Sequence, residues 1–230
     1  MAFGPEAYAG DTHRPVVVEL YTSQGCSSCP PADALLARLA SRKDVLALSL
    51  PITYWDMLGW KDTLASPANT KRQKAYAAAM GHGGVYTPQM IIDGINDVVG
   101  SREQAVLDTI AARAADMQTV PVSLNYSSGE LHVRVGAAPK VAAQKSAHGA
   151  TIWLLRIRGH AQVKIGAGEN GGRSMAYRNI VHEIRAIGIW KGQPVSLDLP
   201  YPAAPGGDES AAILVQQGGY GRIVGAAVTP

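Results

Sequence analysis

Cysteine is scarce in this sequence of 230 residues: Cys26 and Cys29 are its only two, and two residues separate them. Two thiols are too few for the four ligands of a structural zinc site. None of the six histidines forms the His-x3–5-His spacing that would supply the others. Charged residues make up 17%, and the formal net charge is +3. Because no Lys/Arg cluster is long enough to follow a phosphate backbone, we expect no nucleic-acid partner.

Long apolar runs are also missing, so we expect no membrane span. Near the N-terminus, Ala7-Tyr8-Ala9 before Gly10 has the small-x-small form of a signal-peptide cleavage site. The residues before it, Met1–Glu6, lack the charged and apolar parts of a signal. We therefore expect a periplasmic or secreted protein, or a cytoplasmic one if the N-terminus is complete as given. A chance Ala-x-Ala in a flexible tail is the alternative.

Strand and helix patterns alternate through the first half of the chain. Val16–Tyr21 is apolar apart from one residue, as expected for a central strand covered on both faces. A helix is predicted over Pro30–Ala40 and a strand over Val45–Ile52. The next helix has Ser66 as its N-cap and Pro67 as its first residue.

Two short strands, Gln89–Asp93 and Asp97–Gly100, then lead to a helix with a capping box formed by Ser101 and Gln104. This order of elements matches the thioredoxin-fold plan. It predicts an α/β thioredoxin-like N-terminal domain, with a mixed sheet and helices on both faces.

The second half has a different character, with short alternating strands separated by Gly/Pro-rich stretches. Ser127-Ser128-Gly129 indicates a hairpin turn, while Arg178–Ile189 fits either a short helix or a bulged strand. The pattern predicts an all-β sandwich-like C-terminal domain. We predict a flexible tail over 1–14, a thioredoxin-like domain over 15–118 and a β-sandwich domain over 119–230.

The cysteine pair lies between a predicted strand and a predicted helix. Near a helix N-terminus, the helix dipole and free N–H groups favour a thiolate over a thiol. We expect Cys26 to be the more exposed thiol and to attack, and Cys29 to resolve the mixed disulfide. If the helix begins only at Pro30, the pair lies on a loop before it and this effect weakens.

Two other uses of the same pair stay open. Cu(I) accepts few soft ligands, so the thiols could bind it together with Met57, Met80, Met90 or His82. The pair could also be a purely structural disulfide.

Thr87-Pro88 and Glu19 are the next candidates. In the thioredoxin fold the proline matching Pro88 is cis and helps to hold the substrate backbone against the cysteine pair. Glu19 lies within an apolar strand, where a carboxylate must be solvated, paired or protonated. It is either a proton relay for the resolving thiol or a plain carboxylate that is partnered or faces the edge of the sheet.

Trp55 and Trp60 follow the second strand and should lie at the same reactive edge. They would either bind a partner or fill the space beneath a loop. His82, with the two glycines after it, forms either a mobile flap or a helix C-terminal turn. The segment Gly166–Arg173 is glycine-rich but lacks the residues of a phosphate-binding loop, so no chemistry is assigned to it.

Four stretches of the sequence resemble an uncharacterised bacterial family: Val18–Asp33, Tyr54–Asp62, Thr87–Met90 and Gly168–Asn179. Its members are thioredoxin-like, often exported and classed as a domain of unknown function. The resemblance implies a thioredoxin-like N-terminal domain with a β-rich C-terminal domain. It also implies an active pair at Cys26 and Cys29 and a cis proline at Pro88.

Together these features predict a thiol–disulfide oxidoreductase that acts on exported protein or small-molecule thiols and needs no cofactor or metal. Cys26, Cys29, Pro88, Thr87 and Glu19 are its predicted catalytic residues. Trp55, Trp60 and His82 are the predicted substrate-binding residues. A Cu(I) carrier and a non-catalytic binding module with a structural disulfide are the alternatives.

Overall fold

In the computed structural model the chain is described over residues 14–116, 119–138, 149–201 and 207–229. The elements within these ranges are, in chain order, β1 (Val16–Thr22), α1 (Pro30–Leu39), β2 (Val45–Pro51), a 3-10 turn (Asp56–Leu58), α2 (Pro67–Ala79), β3 (Gln89–Ile92), β4 (Asn96–Val99), α3 (Glu103–Ala115), β5 (Val122–Ser127), β6 (Glu130–Val135), β7 (Ala150–Lys164), β8 (Ser174–Trp190), β9 (Val195–Pro200), β10 (Glu209–Gln217) and β11 (Ile223–Val228).

Strands from both halves of the chain form one sheet of eight strands, in the order β11-β10-β7-β8-β2-β1-β3-β4. The sheet is mixed: β1 and β2 are parallel, β2 and β8 are parallel at Ser49 and Ile180, and the remaining neighbours are antiparallel. Strands β5, β6 and β9 form a second sheet.

The predicted fold class, a thioredoxin-like α/β domain joined to an all-β sandwich-like domain, is therefore wrong. The described residues are mostly β, with three α-helices, and no sheet belongs to the first half alone. The reason is that a strand from the second half of the chain pairs with the free edge of β2. Every residue of β2 is buried, and β8 covers the side of this strand that β1 leaves open.

Two cores lie on opposite faces of the first-half strands. On one face, Val18 and Leu20 of β1 pack with Leu36 of α1 and Ile110 of α3. On the other face, Tyr21 and Leu48 pack with Tyr76 of α2 and with Leu214 and Ile223 from the second half. This second core joins the two halves through apolar burial as well as through backbone hydrogen bonds.

The three-stranded sheet packs over the part of the large sheet that the second half contributes. Leu131 and Val133 of β6 share a core with Ile152 of β7, Ile213 of β10 and the fully buried Trp190. The predicted hairpin at Ser127-Ser128-Gly129 is confirmed. It joins β5 to β6, with positive φ at Ser128 and Gly129.

The N-terminal cap of α2 agrees with the prediction, whereas that of α3 does not. Ser66 caps α2 as predicted, since its hydroxyl accepts a hydrogen bond from the Ala68 N–H at 3.2 Å. The capping box at Ser101 and Gln104 is wrong: Arg102 is the N-cap of α3, and the Gln104 amide bonds forward to Asp108 at 2.8 Å.

The region Arg178–Ile189 belongs to a strand rather than a helix. It lies in β8, and the register with β7 shifts between Ile152 and Trp153 and again between Arg156 and Ile157. The bulged-strand alternative is therefore the correct one.

Residues 1–13 lie outside the described residues. They include the Ala7-Tyr8-Ala9 site and all of the predicted tail except Arg14. Residues 117 and 118, at the predicted domain boundary, also lie outside the described residues. The division into domains stays a prediction. No helix in the described ranges is long and apolar enough to cross a membrane.

Candidate functional site

Cys26 and Cys29 form a disulfide just beyond the carboxyl end of β1, with a Cα–Cα distance of 5.4 Å. Helix α1 begins at Pro30, so the pair precedes the helix, and Cys29 is its N-cap. Cys29 already has helical dihedrals (φ −80°, ψ −34°). Two prolines occupy the first turn and provide no N–H groups. The first turn of α1 therefore offers few free N–H groups to a thiolate, and the helix effect is weakened, as expected for a helix that begins at Pro30.

Both cysteines are buried, with an exposed fraction of 1% for Cys26 and 0% for Cys29. Exposure therefore does not distinguish the two cysteines, and the attacking role of Cys26 stays a prediction. What faces solvent is the pair of serines between the cysteines, Ser27 and Ser28. The residues before the pair, Ser23 and Gln24, are fully buried as well.

A loop from the second half of the chain holds the cysteine segment in this buried position. We call residues Gly166–Arg173, which join β7 to β8, the capping loop. The buried amide of Asn170 donates to the carbonyl oxygens of Gln24 and Cys26, both at 2.9 Å. The Ser27 N–H donates to the Glu169 carboxylate at 3.0 Å. Hydrogen bonding from Ser27 lowers the pKa of Glu169.

Trp55 links the cysteine segment to Thr87, the residue before Pro88. The Trp55 indole N–H donates to the Thr87 hydroxyl at 2.8 Å. A Cβ built on Gly25 would approach the Trp55 Cβ to 3.2 Å, so Trp55 contacts the residue before Cys26. The Thr87–Pro88 peptide bond is cis, as expected.

Trp60 connects the cysteine segment to the capping loop. Its indole N–H donates to the Gln24 side-chain oxygen at 2.8 Å, and its ring lies against Gly166. Asp62 completes this contact by accepting a hydrogen bond from the Gln24 N–H at 2.8 Å. Burial raises the pKa of Asp62. Both tryptophans thus pack against the cysteine segment or the capping loop, and their binding of a partner stays a prediction.

Glu19 has partners that occupy its carboxylate. Arg72 donates to it through Nε at 2.6 Å, and the Tyr76 hydroxyl donates at 2.6 Å. Arg72 also bonds Gln216 of β10 at 3.1 Å. The side chains of Glu19 and Arg72 are 0% and 2% exposed. This geometry matches the alternative of a partnered carboxylate.

His82 is directed elsewhere. Its ring is half exposed and lies 3.3 Å from the carboxylate of Asp97, a residue of β4. Its backbone N–H donates to the Ala77 carbonyl at the end of α2. Among the described residues, no group of three or more His, Cys, Asp or Glu side chains is placed to hold a metal ion. The candidate Cu(I) ligands differ in burial, since Met57 is 83% exposed and Met90 is fully buried.

Sequence reasoning missed three residues of this site: Asp33, Glu169 and Asn170. Asp33 lies in the first turn of α1 and is buried. Its signal was present in the sequence as a carboxylate four residues after Cys29, on the face that also carries Leu36. Glu169 and Asn170 had no local signal, because their partners are more than 140 positions away.

Two solved structures are similar to this one. Protein AGR_C_4864 from Agrobacterium tumefaciens has 33% sequence identity and a TM-score of 0.78, over 93% of this chain and 92% of that chain. HBP35 of Porphyromonas gingivalis has 12% identity and a TM-score of 0.63, over 96% of this chain and 76% of that chain. At that identity the second similarity shows the fold alone. No match is found among curated proteins.

A family model described as protein of unknown function (DUF1223) matches residues 17–216, most of the chain. This match confirms the predicted membership of an uncharacterised family. Its description names no activity, and it adds no support for a thioredoxin-like character. The chain belongs to the DUF1223 family.

Proposed function

We propose that this protein is a thiol–disulfide oxidoreductase that acts on exported protein or small-molecule thiols through Cys26 and Cys29. The observation that carries the proposal is a disulfide between the chain's only two cysteines, placed between the end of a central strand and the start of a helix. The contact of Trp55 with Gly25 and its hydrogen bond to Thr87, beside the cysteine segment, support it.

The proposed exchange consists of two successive thiolate attacks. A substrate thiolate attacks Cys26 Sγ, the Cys26–Cys29 bond breaks, and its electron pair leaves with Cys29 Sγ. A second substrate thiolate then attacks the mixed disulfide and releases Cys26. Two substrate thiols lose two electrons and two protons to become a disulfide, and the protein gains both as two thiols. The reverse sequence reduces a substrate disulfide.

This chemistry requires access to Cys26 Sγ, because the attacking sulfur must reach a residue that is buried in this structure. The capping loop is the segment whose displacement would provide that access. It contains the positive-φ glycines Gly168 and Gly172, and its Glu169 contact lies at the surface. Local opening of such a loop needs less free energy than global unfolding.

A structural disulfide is the second candidate, and the burial of both sulfurs favours it. The size of the ring opposes it. The cysteines are three positions apart, and closing so small a ring restricts the unfolded chain by only about 2 kcal/mol. The disulfide removes few conformations from the unfolded chain, so a gain in stability alone is a weak reason for its presence.

Trapping a partner tests the proposal. We expect Cys29→Ser to accumulate a mixed disulfide through Cys26 in the native compartment, since the resolving thiol is absent. Non-reducing electrophoresis followed by mass spectrometry detects the adduct. Cys26→Ser is the matched control, because it keeps one thiol of the same pair, and we expect much less adduct from it.

The proposal fails if neither variant forms an adduct and the purified wild-type protein leaves a model dithiol unoxidised. A structural disulfide predicts that pattern. It also predicts that the Cys26→Ser/Cys29→Ser double variant keeps the protein's cellular role.

A further inference from the structure

Asp33 is a buried carboxyl group that the exchange described above does not use. The residue is 6% exposed, and among the described residues neither carboxyl oxygen has a partner in hydrogen-bond geometry, although the Thr22 hydroxyl is near enough to interact with the carboxyl group. A buried polar group without a partner costs free energy. Its neighbours on the buried face of α1, such as Leu36, are apolar. The position of Asp33 therefore calls for an explanation other than packing.

The geometry of α1 directs Asp33 towards Cys29. Cys29 has helical dihedrals, and the Asp33 N–H donates to the Cys29 carbonyl at 3.0 Å, which is the bond of one full helical turn. Side chains four residues apart lie on one helix face with Cβ atoms about 5–6 Å apart. Helical side chains also tilt towards the N-terminus, so the Asp33 carboxyl extends over the turn that begins at Cys29.

The surroundings of this carboxyl keep it protonated at neutral pH. Burial, first, and then the Asp62 carboxylate raise the pKa of Asp33 to about 8, while the Thr22 hydroxyl opposes the shift. Tyr177 of β8 faces the same group, and burial together with Asp33 and Asp62 raises the pKa of its phenol. The titratable neighbours of Asp33 are therefore Asp62, from the segment before α2, and Tyr177, from β8, while β1 contributes only the Thr22 hydroxyl.

We propose that the Asp33 carboxyl exchanges its proton with the Cys29 sulfur during thiol–disulfide exchange, so that Asp33 is a catalytic residue. The proposal rests on the proposed function. When the disulfide opens, its electron pair goes to Cys29 Sγ, and the proton of the Asp33 carboxyl moves to that sulfur. When the disulfide forms, the Asp33 carboxylate takes the proton back and Cys29 attacks as a thiolate.

The burial of Cys29 makes such a proton donor necessary. A thiolate released at a site with 0% exposure has little water to stabilise it. Glu19 is not placed to help, because Arg72 and Tyr76 occupy its carboxylate. Asp33 is the buried acid on the same helix face as the leaving sulfur.

The test measures how fast dithiothreitol reduces the native disulfide between about pH 5 and about pH 10, with rates divided by the dithiothreitol thiolate concentration. Acid quenching, alkylation and mass spectrometry report the reduced fraction. In the wild type we expect the corrected rate to fall about tenfold per pH unit above an inflection near pH 8, where the proton donor is lost. In Asp33→Asn we expect no inflection and a rate at least about tenfold lower at neutral pH.

Glu169→Gln is the matched control, a nearby carboxylate with a lowered pKa that should keep the inflection near pH 8. An unchanged profile in Asp33→Asn overturns the role of Asp33 and leaves the proposed function standing. Failure of dithiothreitol to reduce the native disulfide overturns both. A wild-type profile without the inflection also overturns the role of Asp33, whatever the variant does.

Asp33→Asn should fold, since the native carboxyl is already neutral. Because the folded pKa of about 8 lies above the unfolded value of 3.8, the stability linked to the neutral carboxyl is fully present below pH 3.8 and is lost as pH rises through about 8. The uncharged variant should therefore be more stable than the wild type above pH 8. Urea unfolding at two pH values checks this, and equal stability at high pH contradicts the assigned protonation of Asp33.

Discussion

Glu19 and Arg72 form a buried ion pair inside the core that both halves of the chain share. The guanidinium group bonds both Glu19 oxygens and the Gln216 side chain, and it lies over the rings of Tyr76 and Trp153. A charge in this position depends on its partner, because the low-dielectric interior stabilises an unpaired ion poorly. The pair therefore stabilises the packing of α2 on the sheet.

Removing one partner should be strongly destabilising. We expect Glu19→Gln to lower the free energy of unfolding by about 3–5 kcal/mol, because Arg72 is left buried without a counter-charge. Urea denaturation at neutral pH measures the change. Glu103→Gln is the control: it breaks an ion pair with Arg38 whose side chains are more than half exposed. We expect about 0.5 kcal/mol or less there, and similar losses in both variants would contradict this account.

At the residue scale the sequence identifies candidates better than it identifies their partners. Glu19 was recognised as a carboxylate that must be solvated, paired or protonated, but its partner lies 53 positions away on α2. Asp33 needed no distant information, because its spacing from Cys29 is that of one helical turn. A partner on the same helix can be predicted from local spacing, whereas a partner on a distant element cannot.

The capping loop is the element that decides whether the disulfide can react. Its base is closed by backbone hydrogen bonds between Ile165 and Arg173 and between Gly172 and Ile165. Its centre is held by the two bonds from Asn170 to the cysteine segment. Losing both bonds, with the carbonyl oxygens left unpaired, should favour the open state by about 1–3 kcal/mol.

We therefore expect Asn170→Ala to speed reduction of the native disulfide by dithiothreitol about tenfold or more at a fixed pH. Alkylation and mass spectrometry after quenching give the rate. Asn179→Ala is the control, because that amide likewise donates to a distant backbone carbonyl, Ala47 at 2.8 Å, but on β2 rather than in the cysteine segment. A rate unchanged by Asn170→Ala, or raised equally by both variants, would show that the capping loop does not limit access.

At the element scale, local patterns predicted β1, α1 and β2 to within a few residues and the start of α2, because apolar periodicity, a proline and an N-cap are properties of the element itself. The capping loop was assigned no chemistry, because glycine-rich composition indicates only a turn. Its function depends on contact with a segment that no local pattern can reveal.

The whole molecule is organised around one sheet to which both halves contribute. Strand β8 pairs with β2, and Ile223 of β11 bonds the Asp93 carbonyl while Arg14 bonds the Asp93 carboxylate. The Asn69 amide joins the carbonyls of Pro51 and Val181, one in each half. These contacts couple the stability of the two halves.

We expect the chain to unfold in a single cooperative transition. Far-UV circular dichroism and tryptophan fluorescence should give the same midpoint in urea, because neither half keeps its core without the other. Two separated transitions would instead support domains divided near residue 118 and would contradict the coupling.

The fold class could not be obtained from the sequence for a related reason. The strands of the second half were recognised, but their pattern does not say which sheet they join. The uniformly buried residues of β2 were consistent with a central strand, and the neighbour that makes it central, β8, is more than 120 positions away. Strand pairing at that separation is decided by tertiary packing.

The reduction potential of the Cys26–Cys29 couple, measured against glutathione buffers, tests the proposed function most directly. Disulfides that exchange with substrates have potentials of about −120 to −270 mV, whereas structural disulfides lie below about −300 mV. We predict a value in the first range for the native protein. A value below about −300 mV would contradict the account and would assign the pair a structural role.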